Sequence, residues 1–337
     1  MTFEYRVRTN ALLGFERLVE SLGGSPGFIL KQYNLTLDSL TSERQTMRTH
    51  DVVKLLNQSA DEFDCPIFGL KLSQLQDFRV LGPLGIIAEN CETPREAIQA
   101  LESWMLFHNQ SEIWSTALAQ NVILIQRTDS FDELADTRQY KELAMGACLS
   151  TSRSLLGDDF KPKRVEFSHS PLTSESEYEQ LLKLEVVFNS EYDTLVVEDG
   201  FLDLPIKHTN KELKEAKLQY LRRIEQQFGD DIERQVSSLI YQTISVQLAT
   251  IDNIARLLSL SKRSLQRRLK AKGVNFKGLV EDIRYRSARK YLKTSTMDII
   301  IIAQRLGYSD AGNFSRAFKK KSGLSPRNWR IKHQNST

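Results

Sequence analysis

The stretch KRSLQRRLKAKG, residues 262–273, packs six cations into twelve positions, with Leu265 and Leu269 as its only large apolar residues. At about 100° per residue, the two leucines share one helical face. Arg263 and Arg267 fall opposite them, with Ser264, Gln266 and Lys270 alongside. That outer face suits nucleobase edges, because arginine bonds guanine bidentately and glutamine bonds adenine. Lys262, Ser264, Arg268 and Lys270 are placed to meet phosphates, which hold a helix in register without reading sequence. A charge run is by default a solvated helix face, so this stretch alone decides nothing.

The pattern recurs. IARLLSLSKRSLQRRLKAKG, residues 254–273, is matched by IAQRLGYSDAGNFSRAFKKKSG, residues 302–323. Ile254, Ala255 and Leu258 correspond to Ile302, Ala303 and Leu306. With one insertion, Leu265, Arg267, Leu269 and Lys270 correspond to Phe314, Arg316, Phe318 and Lys319. Each copy reads as a short helix, a tight turn and a second helix. Ile251, Ile254, Ala255 and Leu258 form one apolar stripe; Ile299, Ile302, Ala303 and Leu306 form the other. Ser261 and Asp310 are placed to cap the helices that follow. This helix-turn-helix arrangement seats its second helix in a DNA major groove. In the second copy Phe314 and Phe318 face inward, while Gly312, Asn313, Ser315 and Arg316 face out. Fewer reading groups there predict less base discrimination.

Between the copies, residues 275–295 place Phe276, Leu279, Val280, Ile283, Ala288 and Leu292 on one helical stripe, with Asn275 as its cap. About 19 helical residues span roughly 28 Å, which with its flanks approaches the roughly 34 Å of one DNA turn. Matched cationic helices at that separation predict double-stranded DNA bound at two half-boxes about one turn apart. A solvated charge run has no reason to recur in this way.

The chain's 337 residues, 40% hydrophobic and 26% charged, fit a soluble globular protein of two domains. The net charge of +3 conceals an asymmetry: residues 211–337 hold 27 lysines and arginines against 11 acidic residues, and residues 1–210 hold 19 against 32. The basic part therefore invites an anionic partner. MTFEYRVRTN lacks the pattern of a signal peptide, and the apolar run at residues 297–303 is too short to span a bilayer. Three widely spaced cysteines, Cys65, Cys91 and Cys148, indicate reduced thiols in a cytoplasmic setting. The five histidines are scattered, and no Gly-rich phosphate loop, HExxH or GxSxG is present. No catalytic residue, metal site or cofactor is expected.

Two other classes compete. A DNA-repair methyl acceptor needs an activated cysteine, but FDCPI, ENCET and GACLS offer no adjacent cation. A non-specific nucleic-acid-packaging protein predicts similar affinity for every duplex; the duplicated reading helices and the acidic first half weigh against it. Membrane-surface binding is weaker still, since the basic residues oppose small cores on short helices.

Residues 1–205 mix helices with short strands, an α+β sensor-like pattern. A helix is expected over residues 10–23, capped by Asn10 and stopped at Gly23. THDVVKLLNQSADEF and TPREAIQALESWMLF read as helices, the latter starting with Thr93 before Pro94. Residues 121–128, 163–169 and 194–198 read as strands. Trp104, Phe107, His108 and Trp114 can wall an apolar pocket. Core packing with a hydrogen-bonded histidine is the plainer expectation, so effector-binding residues stay unassigned. In residues 210–231, Leu213, Tyr220, Ile224 and Phe228 lie near one helical face, which either pairs two chains or docks on its own sensor.

Residues from about 233 to 332 resemble the DNA-binding domain of AraC/XylS-type transcription regulators. IIAQRLGYSDAGNFSRAFKKKSGLSPRNWR, residues 301–330, carries that signature at Ala303, Leu306, Gly307, Phe314, Arg316, Phe318, Gly323, Pro326 and Arg330. The first half is similar, more loosely, to the arabinose-binding-like domain of a subset of these regulators, through CPIFGLKL, LGPLGIIAENCETPREAIQAL and RVEFSHSPLTSESEYEQLLKLEVVFNSEYDTLVV. The resemblance implies an α+β N-terminal sensor domain over 1–205, a linker and bridging helix over 206–232, and an all-α C-terminal domain over 233–337 with two helix-turn-helix units joined by a linker helix. It implies base reading by Arg263, Gln266 and Arg267 in the first unit and by Asn313 and Arg316 in the second, where Ser315 and Lys319 meet the DNA backbone. Ala311 and Gly312 are smaller than the polar residues usual there. A transcription regulator, more commonly an activator, is implied, with RNA polymerase and a small-molecule effector as partners and a homodimer formed through the N-terminal half.

Overall fold

The structure, a computed structural model, describes residues 5–42, 45–109, 111–119, 121–129, 136–157, 160–206, 232–244, 249–258, 260–294 and 297–334. These fall into two compact units, one within residues 5–206 and one within 232–334. The candidate pairing segment, residues 210–231, lies outside the described residues.

In the first unit, β1 (Arg6–Arg8) pairs antiparallel with β2 (Thr46–Arg48) around helices α1 (Phe15–Ser21), α2 (Pro26–Gln32) and α3 (Leu37–Leu40). Helices α4 (Thr49–Glu62), α5 (Phe68–Ser73), α6 (Pro83–Glu89) and α7 (Pro94–His108) follow. Then come β3 (Glu112–Ala119), β4 (Val122–Asp129), α8 (Arg138–Leu156), β5 (Pro162–Glu166), α9 (Glu175–Leu182), β6 (Glu185–Val187) and β7 (Asp193–Glu198). The five-stranded sheet has the order β3-β4-β7-β5-β6, antiparallel except for the β5–β6 pair.

The helix expected over 10–23 starts later. Thr9–Leu12 is a 3-10 turn and Gly14 holds φ of 88°, left-handed backbone that ends the turn before α1 begins. Asn10 therefore caps nothing, and a Cβ at Gly14 would meet Leu75 Cβ at 2.9 Å. Helices α4 and α7 lie where the sequence places them, and Thr93 Oγ1 accepts the Glu96 N–H. The three expected strands appear as β4, β5 and β7; the ends of β4 and β7 fall within one residue of expectation, and β5 stops three residues early. Strand β3 and helix α8 went unread. Helix α8 sends Tyr140 and Leu143 into a core with α1, α2, α4 and α5, and Met145, Leu149 and Leu156 into a second core beneath the sheet. A helix buried on two sides shows no single apolar stripe.

Among its described residues, every regular element of the second unit is a helix: α10 (Ile232–Ile244), α11 (Ile251–Leu257), α12 (Lys262–Ala271), α13 (Phe276–Thr294), α14 (Ile299–Arg305), α15 (Ala311–Ser322) and α16 (Pro326–Gln334). Its core is divided. Leu279, Val280 and Ile283 of α13 close one cluster with α10, α11 and α12, and Ala288 and Leu292 close another with α14, α15 and α16. Asn275 caps α13, accepting the Gly278 N–H at 2.8 Å.

Arg284, midway along α13, locks the second turn in place. Its Nε donates to Leu306 O at 2.9 Å and its Nη2 to Gly307 O at 2.8 Å. The guanidinium also lies 4.5 Å from the Tyr308 ring centre. Carbonyls at a helix end lack intrahelical partners, and here the linker helix supplies them. Gly307 has φ of 68°, and a Cβ there would come within 2.4 Å of Ile244 O. Any larger residue would strike the end of α10.

Candidate nucleic-acid interface

The first cationic helix, α12, is seated as its sequence dictates. Ser261 Oγ accepts the Ser264 N–H at 3.1 Å, and Leu265 and Leu269 are buried. Arg263, Gln266, Arg267, Arg268 and Lys270 are exposed. None of the five side chains makes a hydrogen bond or ion pair with a described residue. Ser264 is less available: it is half-buried and its hydroxyl bonds Ser261 Oγ at 3.0 Å. Lys262 is exposed, with its Nζ 2.9 Å from Asp252 Oδ2 on α11. Solvent weakens such a pair to at most about 1 kcal/mol, so a phosphate can displace it.

Its counterpart in the second copy, α15, is capped by Asp310, whose Oδ1 accepts the Asn313 N–H at 2.7 Å. Its outward polar groups are already engaged. Asn313 Nδ2 donates to Asp310 Oδ2 at 2.5 Å and to Ser309 Oγ at 2.9 Å, and Arg316 Nη2 donates to Asn313 Oδ1 at 2.7 Å. The Asn313 N–H, then the Ser309 hydroxyl, hold the Asp310 carboxyl below its usual range, so it is charged at neutral pH. A carboxylate thus sits against the outer face of α15. Ser315 is half-buried and Lys319 is exposed. The sequence foresaw the Asp310 cap but not its chain to Asn313 and Arg316. The three-residue spacings from Asp310 to Asn313 to Arg316 were the available signal. Arg284 was also missed.

In the N-terminal unit, a cavity lies among α7, α8 and β3. Of the four aromatic and histidine residues considered for a pocket, His108 and Trp114 line it; the side chains of Trp104 and Phe107 lie outside what is described. His108 is buried, but its Nδ1 lacks a hydrogen-bond partner, unlike the satisfied core histidine expected. Burial, with a smaller push from the Arg8 charge, takes its pKa down to about 3, so the ring is neutral at pH 7. Burial also pushes the Cys148 thiol up to about 12, away from an activated thiolate.

Comparison with known proteins bears on this arrangement. The family described as "Arabinose-binding domain of AraC transcription regulator, N-term" matches residues 23–206, over half of the chain. A helix-turn-helix domain family matches residues 254–332. The chain belongs to the AraC-type transcription regulators. Its α12 and α15 are the second helices of the two helix-turn-helix units of an AraC-type DNA-binding domain, joined by α13. Among relatives, this AraC-type chain is 27% identical over 327 residues to the HTH-type transcriptional regulator VirS of Mycobacterium tuberculosis, covering 96% of each chain. It is 24% identical over 269 residues to the ornithine utilization regulator of Pseudomonas aeruginosa, covering 79% of this chain and 78% of that one. The solved structure of the transcriptional regulator CdpR from Pseudomonas aeruginosa aligns over 90% of this chain and 97% of its own, at 20% identity and a TM-score of 0.45. Among the described residues of this AraC-type regulator, no helix is long and apolar enough to cross a membrane.

Proposed function

We propose that this regulator reads two half-boxes about one DNA turn apart and activates transcription by RNA polymerase beside them. A small-molecule effector bound by the N-terminal unit controls it, shifting the population of DNA-competent states. The working form is a homodimer joined through the N-terminal half. The observation that carries the reading is the outer face of α12, where Arg263, Gln266 and Arg267 stand exposed and free of described partners above a buried leucine pair.

In this reading those three residues contact base edges, while Lys262, Ser264, Arg268 and Lys270 meet phosphates. Asn313 and Arg316 must first exchange their Asp310-centred bonds for bases, with Ser315 and Lys319 on the backbone beside them. The first half-box therefore carries more of the discrimination than the second.

Selection of bound fragments from sheared genomic DNA, with the full chain at near-physiological salt, tests this. The expected product is a motif of two boxes about one turn apart, with one box more sharply defined. Indiscriminate recovery of fragments would refute sequence reading and favour a packaging role. Lys270→Ala should weaken every duplex to a similar degree and reduce the salt dependence of binding by about one phosphate contact. A loss confined to one base pair would make Lys270 a reader instead.

A further inference from the structure

The cavity in the N-terminal unit says what kind of molecule it can hold. Its volume is about 150 Å³, and it opens to solvent. Its wall is mostly carbon, with Val80, Ile98, Leu101, Met105, Ile125 and Leu143 among the residues that form it.

Polar groups are a small part of that wall, and the hydroxyls of Ser115, Thr151 and Ser152 stand among them. Glu112 is already engaged at both oxygens: Oε1 accepts from Arg127 Nε at 2.8 Å, and Oε2 from Trp114 Nε1 at 3.1 Å. Glu102 Oε1 accepts the Thr116 hydroxyl at 2.9 Å. Gln76 spends its Nε2 on Ala11 O and Leu13 O, each at 3.0 Å, leaving its buried Oε1 without a donor. His108 Nδ1 is likewise unpartnered.

No lysine or arginine appears among the described wall residues. Arg127 is buried behind Glu112 and held by Glu112, Asp129 and Asp193. Arg8, whose charge reaches His108, is also buried outside the wall. An anionic head group would lose its water here, meet two carboxylates and find no cation in contact. A sugar would bury most of its hydroxyls against carbon. An ammonium would be buried against carbon, with Glu112 engaged at both oxygens and Glu102 at one.

We propose that this cavity binds a mainly hydrophobic, uncharged molecule with one hydrogen-bond-donating head group, such as a hydroxyl or amide, and takes neither a carboxylate nor a free sugar. The inference rests on the N-terminal unit being the effector sensor, and it names the chemical class that sensor accepts.

Calorimetric titration of the full chain with 1-octanol, octanoate, octylamine and L-arabinose at pH 7.4 tests it, since the first three share a tail and differ in head-group charge. 1-Octanol should bind at least about tenfold more tightly than either charged analogue, and L-arabinose should give no saturable heat. Ala147→Trp and Ala144→Leu, both on the α8 wall, should weaken 1-octanol at least about tenfold through loss of space, with unchanged far-ultraviolet circular dichroism. Tighter binding of octanoate, octylamine or L-arabinose overturns the proposal, as does no binding of 1-octanol or undiminished affinity in a folded wall variant. The wild-type ranking decides even if both variants fail to fold. Affinity for a selected DNA fragment, measured with and without 1-octanol, separates the two readings. Binding without any change at DNA keeps the ligand class and removes effector control through this cavity. Binding of the wrong class removes the ligand inference alone.

Discussion

Arg267→Ala will lose about 1–3 kcal/mol at one base pair of the first half-box, roughly a 5- to 150-fold drop in affinity, and will relax preference at that position alone. The arginine lies opposite Leu265 and Leu269 and is exposed, without a hydrogen bond or ion pair to any described residue. No internal bond must break before it meets a base. Arg316→Ala should cost less at the second half-box. Its guanidinium already donates to Asn313 Oδ1, so the gain on contacting a base is offset by the bond given up. Binding to a set of duplexes altered one base pair at a time measures both. An even loss across all sequences would place Arg267 on phosphate and sink its role as a reader.

Phe314→Ala should have a larger effect, about 3–5 kcal/mol of folding stability. The ring is 1% exposed and packs 5.5 Å from Tyr308 and 5.8 Å from Phe318, centre to centre. Its cluster is separate from the one beneath α12. The damage should therefore stay local, as sub-global unfolding of a weak cooperative unit does. The variant should still protect the first half-box in footprinting while losing the second, and its thermal melt should broaden or split. A single sharp transition with both boxes lost together would show that α13 couples the two cores into one folding unit.

How much was legible follows from what each residue faces. Leu265, Leu269, Phe314 and Phe318 announced themselves because a short amphipathic helix has one buried face and shows it as spacing. Ser261, Asn275 and Asp310 were readable because caps act within three residues of their own position. Arg284 was not, since its work is done 22 and 23 residues away at Leu306 and Gly307, and no local pattern marks it. In the N-terminal half, α8 escaped because both of its sides are buried. The start of α1 was misread because the apolar spacing continues across Gly14, and only the left-handed backbone there breaks it. The outer faces of α12 and α15 were legible as geometry, but the grip of Asp310 on Asn313 and Arg316 required side-chain positions.

If this regulator reads two boxes as proposed, the divided core on α13 constrains how it can change its targets. Each reader is anchored to its own half of one continuous helix, so letters within a half-box can drift by substitution on α12 or α15 without disturbing the other. Spacing cannot drift so gradually. One residue inserted between Ile283 and Ala288 would swing the second reader by about 100° and advance it only about 1.5 Å. It would leave the groove long before it reached the next base pair. Restoring the same facing takes about seven inserted residues, two full turns and roughly 10.5 Å. Descendants of this chain can thus rewrite their operators letter by letter, while the interval between the boxes is inherited nearly unchanged.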